Sequence, residues 1–263
     1  MDRSFLSDDL IIEASREFVC IRLTTYENKS EHDFMQSLYR RSNQTIANTT
    51  FAILSPDTNK IFSGPARSPQ ILFNNSFHMA ASMHEVGHKF KPKSTLASAA
   101  ILPAAASVKI GLNIAASDKL PLILAVGEDK SNHQELESKL NKIAWDDAIV
   151  GKCTFASTHQ PKDLGAIKGT DKKTNVFLVI EPGEFGTKGK VLSVVDGDLE
   201  TDKLVEKISD GLAMYKAPRT VDHRTHTLNG IKAFVFYETP LPVTDRMEAQ
   251  ARSRTKQRIE RRK

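Results

Sequence analysis

Cysteine is nearly absent from this chain of 263 residues, and a closely spaced pair of cysteines is absent altogether. Cys20 and Cys153 stand alone, in FVCIRL and KCTFAS, and no C-x-x-C occurs. Their apolar and β-branched neighbours predict small buried hydrophobes within strands, not disulfide partners or reactive thiols. Dithiol exchange needs two thiols that can meet, so that chemistry is excluded. No apolar run reaches the roughly 18 residues of a membrane-spanning helix. The opening stretch MDRSFLSDDLIIEASREF is acidic and lacks a long apolar centre, so it does not read as a signal peptide. These features predict a soluble protein, cytoplasmic if the chain is complete and periplasmic or secreted if a signal peptide has been removed. Neither G-x-x-x-x-G-K-[ST] nor G-x-G-x-x-G occurs, so nucleotide binding has no motif behind it. Finally, residues 91–127 contain no glutamate, which bears on metal chemistry below.

What is present is ordinary in amount and uneven in placement. With 40% hydrophobic and 26% charged residues, the chain can build one large core or two small ones. Its net charge is +5. Residues 252–263 hold seven basic side chains against Glu260, which is +6, so the rest of the chain carries 5 − 6 = −1. The basic pI of 9.1 therefore belongs to a tail. Such a tail fits nucleic acid, an anionic surface or an acidic protein partner. No aromatics are interleaved with its charges, and the simplest expectation is a solvated terminus.

The hydrophobic pattern predicts two similar halves. In the first, residues 8–17 suit a short helix and 18–24 (FVCIRLT) a buried strand. A helix capped by Ser30 follows, then a strand at 49–54, a turn at Pro56-Asp57-Thr58-Asn59, a strand at 60–63 and a helix at 77–90. Residues 93–107, rich in Ala, Ser and Pro, read as a linker. The second half opens with a helix at 108–116 and a strand at 120–126. A helix at 132–145 follows, with Leu136, Leu140 and Ile143 inward. Strands at 153–157, 175–180 and 190–195 and a helix at 201–215 complete it. Beyond residue 217 the chain turns polar, with an extended stretch at 231–237. Asp245 and Glu248 have capping-box spacing for a last helix, 246–262, which has little to bury and is expected to fray.

This order, with NTTFAILSPDTNKIFSG in one half and TNVFLVIEPGEFGTKGKVLSVVDGDLETDKLVEKI in the other, resembles the second half of the thioredoxin fold, twice over. The resemblance covers residues 10–90 and 108–216 and is closest to tandem thioredoxin-like proteins of bacterial type. It implies an α/β protein of two thioredoxin-like domains in tandem, each a mixed central sheet flanked by helices. Their bounds are 1–92 and 108–217, followed by a polar extension, 218–263. The family's C-x-x-C position is held by Thr24-Thr25-Tyr26-Glu27 in one half and Gly127-Glu128-Asp129-Lys130 in the other. Its cis-proline position is held by Asn48-Thr49 and Thr174-Asn175. What carries over is the fold without the redox activity: a binding or scaffold protein for an unidentified protein or small molecule, with no cofactor expected. Thr24, Thr25, Tyr26 and Glu27, at a strand-to-helix crevice, become the candidate ligand loop. Glu27 or His32 is the nearest base to its threonines.

A second function is spelled by His84-Glu85-Val86-Gly87-His88, the H-E-x-x-H of zinc hydrolases. On a helix His84 and His88 share a face as metal ligands, with Glu85 as general base. Met79, Met83, Val86 and Phe90 fall on the opposite stripe. A catalytic zinc needs a third protein ligand. The extended motif calls for glycine and histidine where this chain has Lys91 and Ser94, and no glutamate follows before Glu128. The helix is therefore expected to close its domain with its histidines in water. His159, His223 and His226 read as lone loop histidines.

Overall fold

The computed structural model describes residues 5–41, 50–90, 102, 104–170, 173–219 and 221–262. Asn48, Thr49, Lys91, Ser94 and most of the 93–107 linker lie outside them. The chain divides into two units, Met1–Lys93 with Tyr237–Lys263, and Ser94–Phe236.

The first unit begins with α1 (Asp9–Ser15), whose N-cap Asp8 accepts from the Leu10 N–H. Helix α2 (Lys29–Arg41) is capped by Asn28 and not by Ser30, since the Asn28 carboxamide oxygen accepts from the N–H groups of Ser30 and Glu31. Strands β1 (Phe51–Leu54) and β2 (Ile61–Ala66) form an antiparallel pair. Gly64 in β2 has a φ of +95°, and a Cβ there would lie 2.4 Å from the Phe51 carbonyl oxygen, so only glycine fits. After α3 (Pro69–Leu72), Asn75 caps α4 (Ser76–Gly87). Ile11 and Ala14 of α1, Met79, Ala80 and Met83 of α4, and Ile53 of β1 make one core. Met35, Leu38 and Tyr39 of α2 make another, against Leu54 and Ile61.

Residues 18–24 are not a strand. Val19 is 78% and Ile21 73% exposed, and Cys20 is exposed rather than buried. Phe18 packs on the first core and Leu23 on the second. The run is pinned at its ends, and among the described residues no strand pairs with it, without which β-branched residues hold no ladder. In place of the mixed sheet expected for residues 1–92, the described residues contain a two-stranded hairpin.

The second unit is α/β with a mixed sheet flanked by helices. Its elements are α5 (Val108–Asp118), β3 (Leu122–Val126), α6 (Lys130–Ile143) and β4 (Thr154–Thr158), then a 3-10 turn at Pro161–Leu164. Next come β5 (Ile167–Lys168), β6 (Val176–Pro182), β7 (Gly189–Asp196), α7 (Thr201–Ala213) and α8 (His223–Lys232). The strand order is β4-β3-β6-β7-β5. Strands β3 and β4 run parallel, while β3/β6 and β6/β7 are antiparallel. LILAV and VFLVI read as unbroken apolar runs because the sheet is covered on both faces. Ile123 and Phe177 meet Leu136 and Leu140 of α6 and Leu204 and Ile208 of α7. Alternate residues, Leu122, Leu124, Leu178 and Ile180, meet Leu112 of α5. Residues 231–232 complete α8, so the extended stretch expected at 231–237 starts as helix, and His226 sits on that helix rather than in a loop.

The C-terminal segment belongs to the first unit and ends in α9 (Arg246–Glu260). Asp245 caps it, accepting from the Glu248 N–H at 2.9 Å, and also meets the Arg67 guanidinium at 2.9 Å with only 6% of its side chain exposed. Ile259, near the far end, is buried. The helix expected to fray is held at both ends. Asp245→Ala is expected to lower the stability of this unit by about 2 kcal/mol, mostly through the lost cap. Helical ellipticity should fall with it, and Asp245→Asn should recover most of the loss. Full helicity in Asp245→Ala would show that the cap does not hold α9. Among the described residues no helix is long and apolar enough to cross a membrane.

Candidate functional site

Helix α4 carries the H-E-x-x-H motif. Because Met79, Ala80 and Met83 face inward, His84 and Glu85 face out, with 42% and 73% of their side chains exposed. His88 is the C-cap residue, its N–H donating to the His84 carbonyl. The packing of α1 on α4 brings a carboxylate that sequence spacing did not associate with the motif. Glu17, 67 residues before His84, accepts from its Nδ1 at 2.6 Å. Gly87 makes room for that carboxylate, since a Cβ there would lie 2.1 Å from Glu17 Oε2.

Glu85 is engaged elsewhere. Lys89 Nζ meets it at 2.8 Å, one turn on. That hydrogen bond, and then the ammonium charge, hold the carboxyl below its ordinary value. A general base for hydrolysis works best with its pKa near the operating pH, and Glu85 is shifted the other way. Among the described residues no three His, Cys, Asp or Glu side chains gather as a metal site. His84 is tied to Glu17 and Glu85 to Lys89, and among the described residues no third donor stands beside them. The polar side of α4 instead borders a shallow groove of about 440 Å³ lined by Leu72, Phe73, Asn74, His78, Ala81, Ser82 and Glu85.

The loop at residues 24–27 is a structural joint. The Thr24 N–H and hydroxyl both donate to Glu31, the hydroxyl at 2.8 Å. Glu31 is thus the carboxylate beside Thr24, not Glu27, which folds back to accept from the Tyr26 N–H. His32 Nδ1 donates to the Thr25 carbonyl oxygen at 3.0 Å. Tyr26 reaches the C-terminal segment twice: its carbonyl accepts from the Leu241 N–H at 3.0 Å and its phenol oxygen from the Asp245 N–H at 3.4 Å. Nearby, the Tyr237 phenol is pushed up by burial and then by the Glu27 charge. Thr24, Thr25 and Glu27 thus tie the loop to itself and to the start of α2, and Tyr26 holds the segment that leads into α9.

A third cluster, in the second unit, was not visible as a site in sequence. Where β3 turns into α6, a Cβ on Gly127 would lie 2.6 Å from both N and Cα of His133. Asp129 caps α6 by accepting from the Asn132 N–H, and Asn132 in turn donates to Asn175 before β6. One turn into the helix, His133 Nε2 lies 3.6 Å from Glu137 Oε1 and is buried, with no hydrogen-bond partner among the described residues. The Ser157 hydroxyl donates to the same carboxylate from β4, and the His159 ring lies 5.2 Å from that of His133. Serine nucleophiles are activated by a base they touch, with a third group orienting that base. Here the hydroxyl donates to the carboxylate while the imidazole lies 3.6 Å from it without a hydrogen bond, so the cluster is a polar network and not a relay. The i, i+4 spacing of His133 and Glu137 was the signal available in sequence.

Cys153 precedes β4, its thiol donating to the Ile149 carbonyl and pushed by burial up to about 12. His226 Nδ1 lies 3.8 Å from Glu184 Oε1, with its ring against Phe185. No family model, curated protein or solved structure matches the chain.

Proposed function

We propose that the chain is a redox-inactive thioredoxin-like protein that works by binding, as a scaffold or adaptor, without turning over a substrate. The observation that carries this reading is at the β3-to-α6 junction. A thioredoxin-like enzyme needs a low-pKa thiol there. This chain has Gly127-Glu128-Asp129-Lys130, and its buried Cys153 has a thiol pushed up to about 12, which is inert at neutral pH.

The thioredoxin-like part of the reading draws on the second unit. A parallel pair joined by a helix (β3-α6-β4), followed by an antiparallel pair and a helix (β6-β7-α7), in the order β4-β3-β6-β7, is the pattern that the resemblance implies. The tandem reading draws on less. The first unit offers α2, the β1–β2 hairpin and α4 in that order, which corresponds to the second half of the pattern.

An insulin-reduction assay with dithiothreitol tests the reading: no acceleration over the uncatalysed rate is expected. Thiol-dependent turnover abolished by Cys20→Ser or Cys153→Ser would overturn it.

A further inference from the structure

We propose that α9 docks onto the phosphodiester backbone of a nucleic-acid duplex through Arg254, Arg258 and Arg261. At roughly 100° per residue these three fall within a sector about 60° wide, and the buried Ile259 lies roughly 140° from Arg254. All three are exposed, and among the described residues none forms an ion pair. The other charges of the helix are disposed differently. Arg252 turns in to the Tyr237 carbonyl oxygen and Lys256 pairs with Glu238 at 2.9 Å. Arg246 is exposed in the first turn, Glu248 is half-buried, and Glu260 is exposed toward the C-terminal end, where Arg262 adds a further exposed cation.

A cationic run is ordinarily a solvated face. Three features set this one apart. The helix is anchored, by Asp245 on Arg67 and by buried Ile259, so its arginines are presented in fixed order and less entropy is lost on binding. The stripe is arginine throughout, and the planar guanidinium matches phosphate oxygens two at a time. Its length suits a duplex. Seven residues of helix cover about 10 Å, and a duplex presents one phosphate charge per roughly 1.7 Å of axis. A membrane is the poorer match, because insertion needs an apolar face and the large apolar side chain exposed on α9 is Met247 alone. The proposal is independent of the redox-inactive reading above, since it concerns the other unit.

Fluorescence anisotropy of short labelled DNA and RNA duplexes with the full chain tests it. Three phosphate contacts at a slope of about −0.9 each predict binding about 40-fold weaker at about 200 mM salt than at about 50 mM. The triple variant Arg254→Gln, Arg258→Gln, Arg261→Gln should keep its helical ellipticity, because glutamine forms helix nearly as well as arginine, and should lose the salt dependence. A triple lysine variant should retain the slope. No duplex binding at low salt, equal binding by the glutamine variant, or tighter binding to phosphatidylserine-containing vesicles than to duplex would each overturn the proposal. If the glutamine variant loses its helix, the lysine variant decides, and loss of the slope there overturns it.

Discussion

Replacing Gly127 with alanine is expected to destabilise the second unit by about 3 kcal/mol, the upper range for forcing an extra methyl into packed structure. The new Cβ would lie 2.6 Å from the backbone N and Cα of His133. Neither can step aside as a flexible side-chain tip would. The first turn of α6 would have to move, carrying the Asp129 cap and straining the bond from the Gly127 N–H to the Thr158 carbonyl that ties the ends of β3 and β4. His133 and Glu137 would move with it, so the polar network around Ser157 would loosen as well. Gly165→Ala is the matched control. A Cβ there meets only the Lys162 carbonyl oxygen at 3.5 Å, so the change should be neutral or stabilising by about 0.5 kcal/mol. Trp145 is the chain's one tryptophan and lies in this unit, so its fluorescence during urea unfolding reads both variants. A loss below about 1 kcal/mol for Gly127→Ala would show that the close approach is not needed for stability.

The same junction shows how far residues alone reach. The second unit was legible because each element carries its own signal. LPLILAV and NVFLVI are apolar throughout and became strands buried on both faces, and Leu136, Leu140 and Ile143 recur at helical spacing and became the inner side of α6. FVCIRLT is likewise rich in apolar and β-branched residues, interrupted by Arg22, and is not a strand. Strand formation depends on a neighbour, and composition does not say whether one exists. Side-chain encounters were illegible for a related reason. His133 and Glu137 declare their shared helical face, but Ser157 joins them only because β4 runs parallel to β3 with Ala125 opposite Ser157. Glu17 reaches His84 only because α1 packs along α4. In the C-terminal segment the N-cap at Asp245 was readable. That Arg67 and Tyr26 would close over Asp245 and turn an apparently fraying tail into an anchored helix was not. Each miss is a contact between distant segments, and each decides what a motif residue is free to do.

Raising the pH from 9 to 12 is expected to cost the second unit up to about 4 kcal/mol of stability through Cys153 alone. Burial lifts this thiol from an ordinary 9.0 to about 12, and each unit of difference between folded and unfolded states is worth about 1.4 kcal/mol. In that window the folded thiol keeps its proton while the unfolded one has lost it. The folded state therefore binds more protons, and stability falls as pH rises. The contribution is complete below pH 9 and gone above the folded value. Lysine and tyrosine titrations overlap this range, so the quantity to measure is the difference between wild type and Cys153→Ala. At neutral pH the variant should be the less stable of the two, because it empties a site that is 7% exposed and loses the bond to the Ile149 carbonyl. Through the alkaline window the two stabilities should converge and then cross, with Trp145 fluorescence again as the probe. Parallel curves from pH 8 to pH 12 would mean that the thiol ionises as easily in the folded chain as outside it. An accessible thiolate beside β4 would then remove the physical ground for a redox-inert protein.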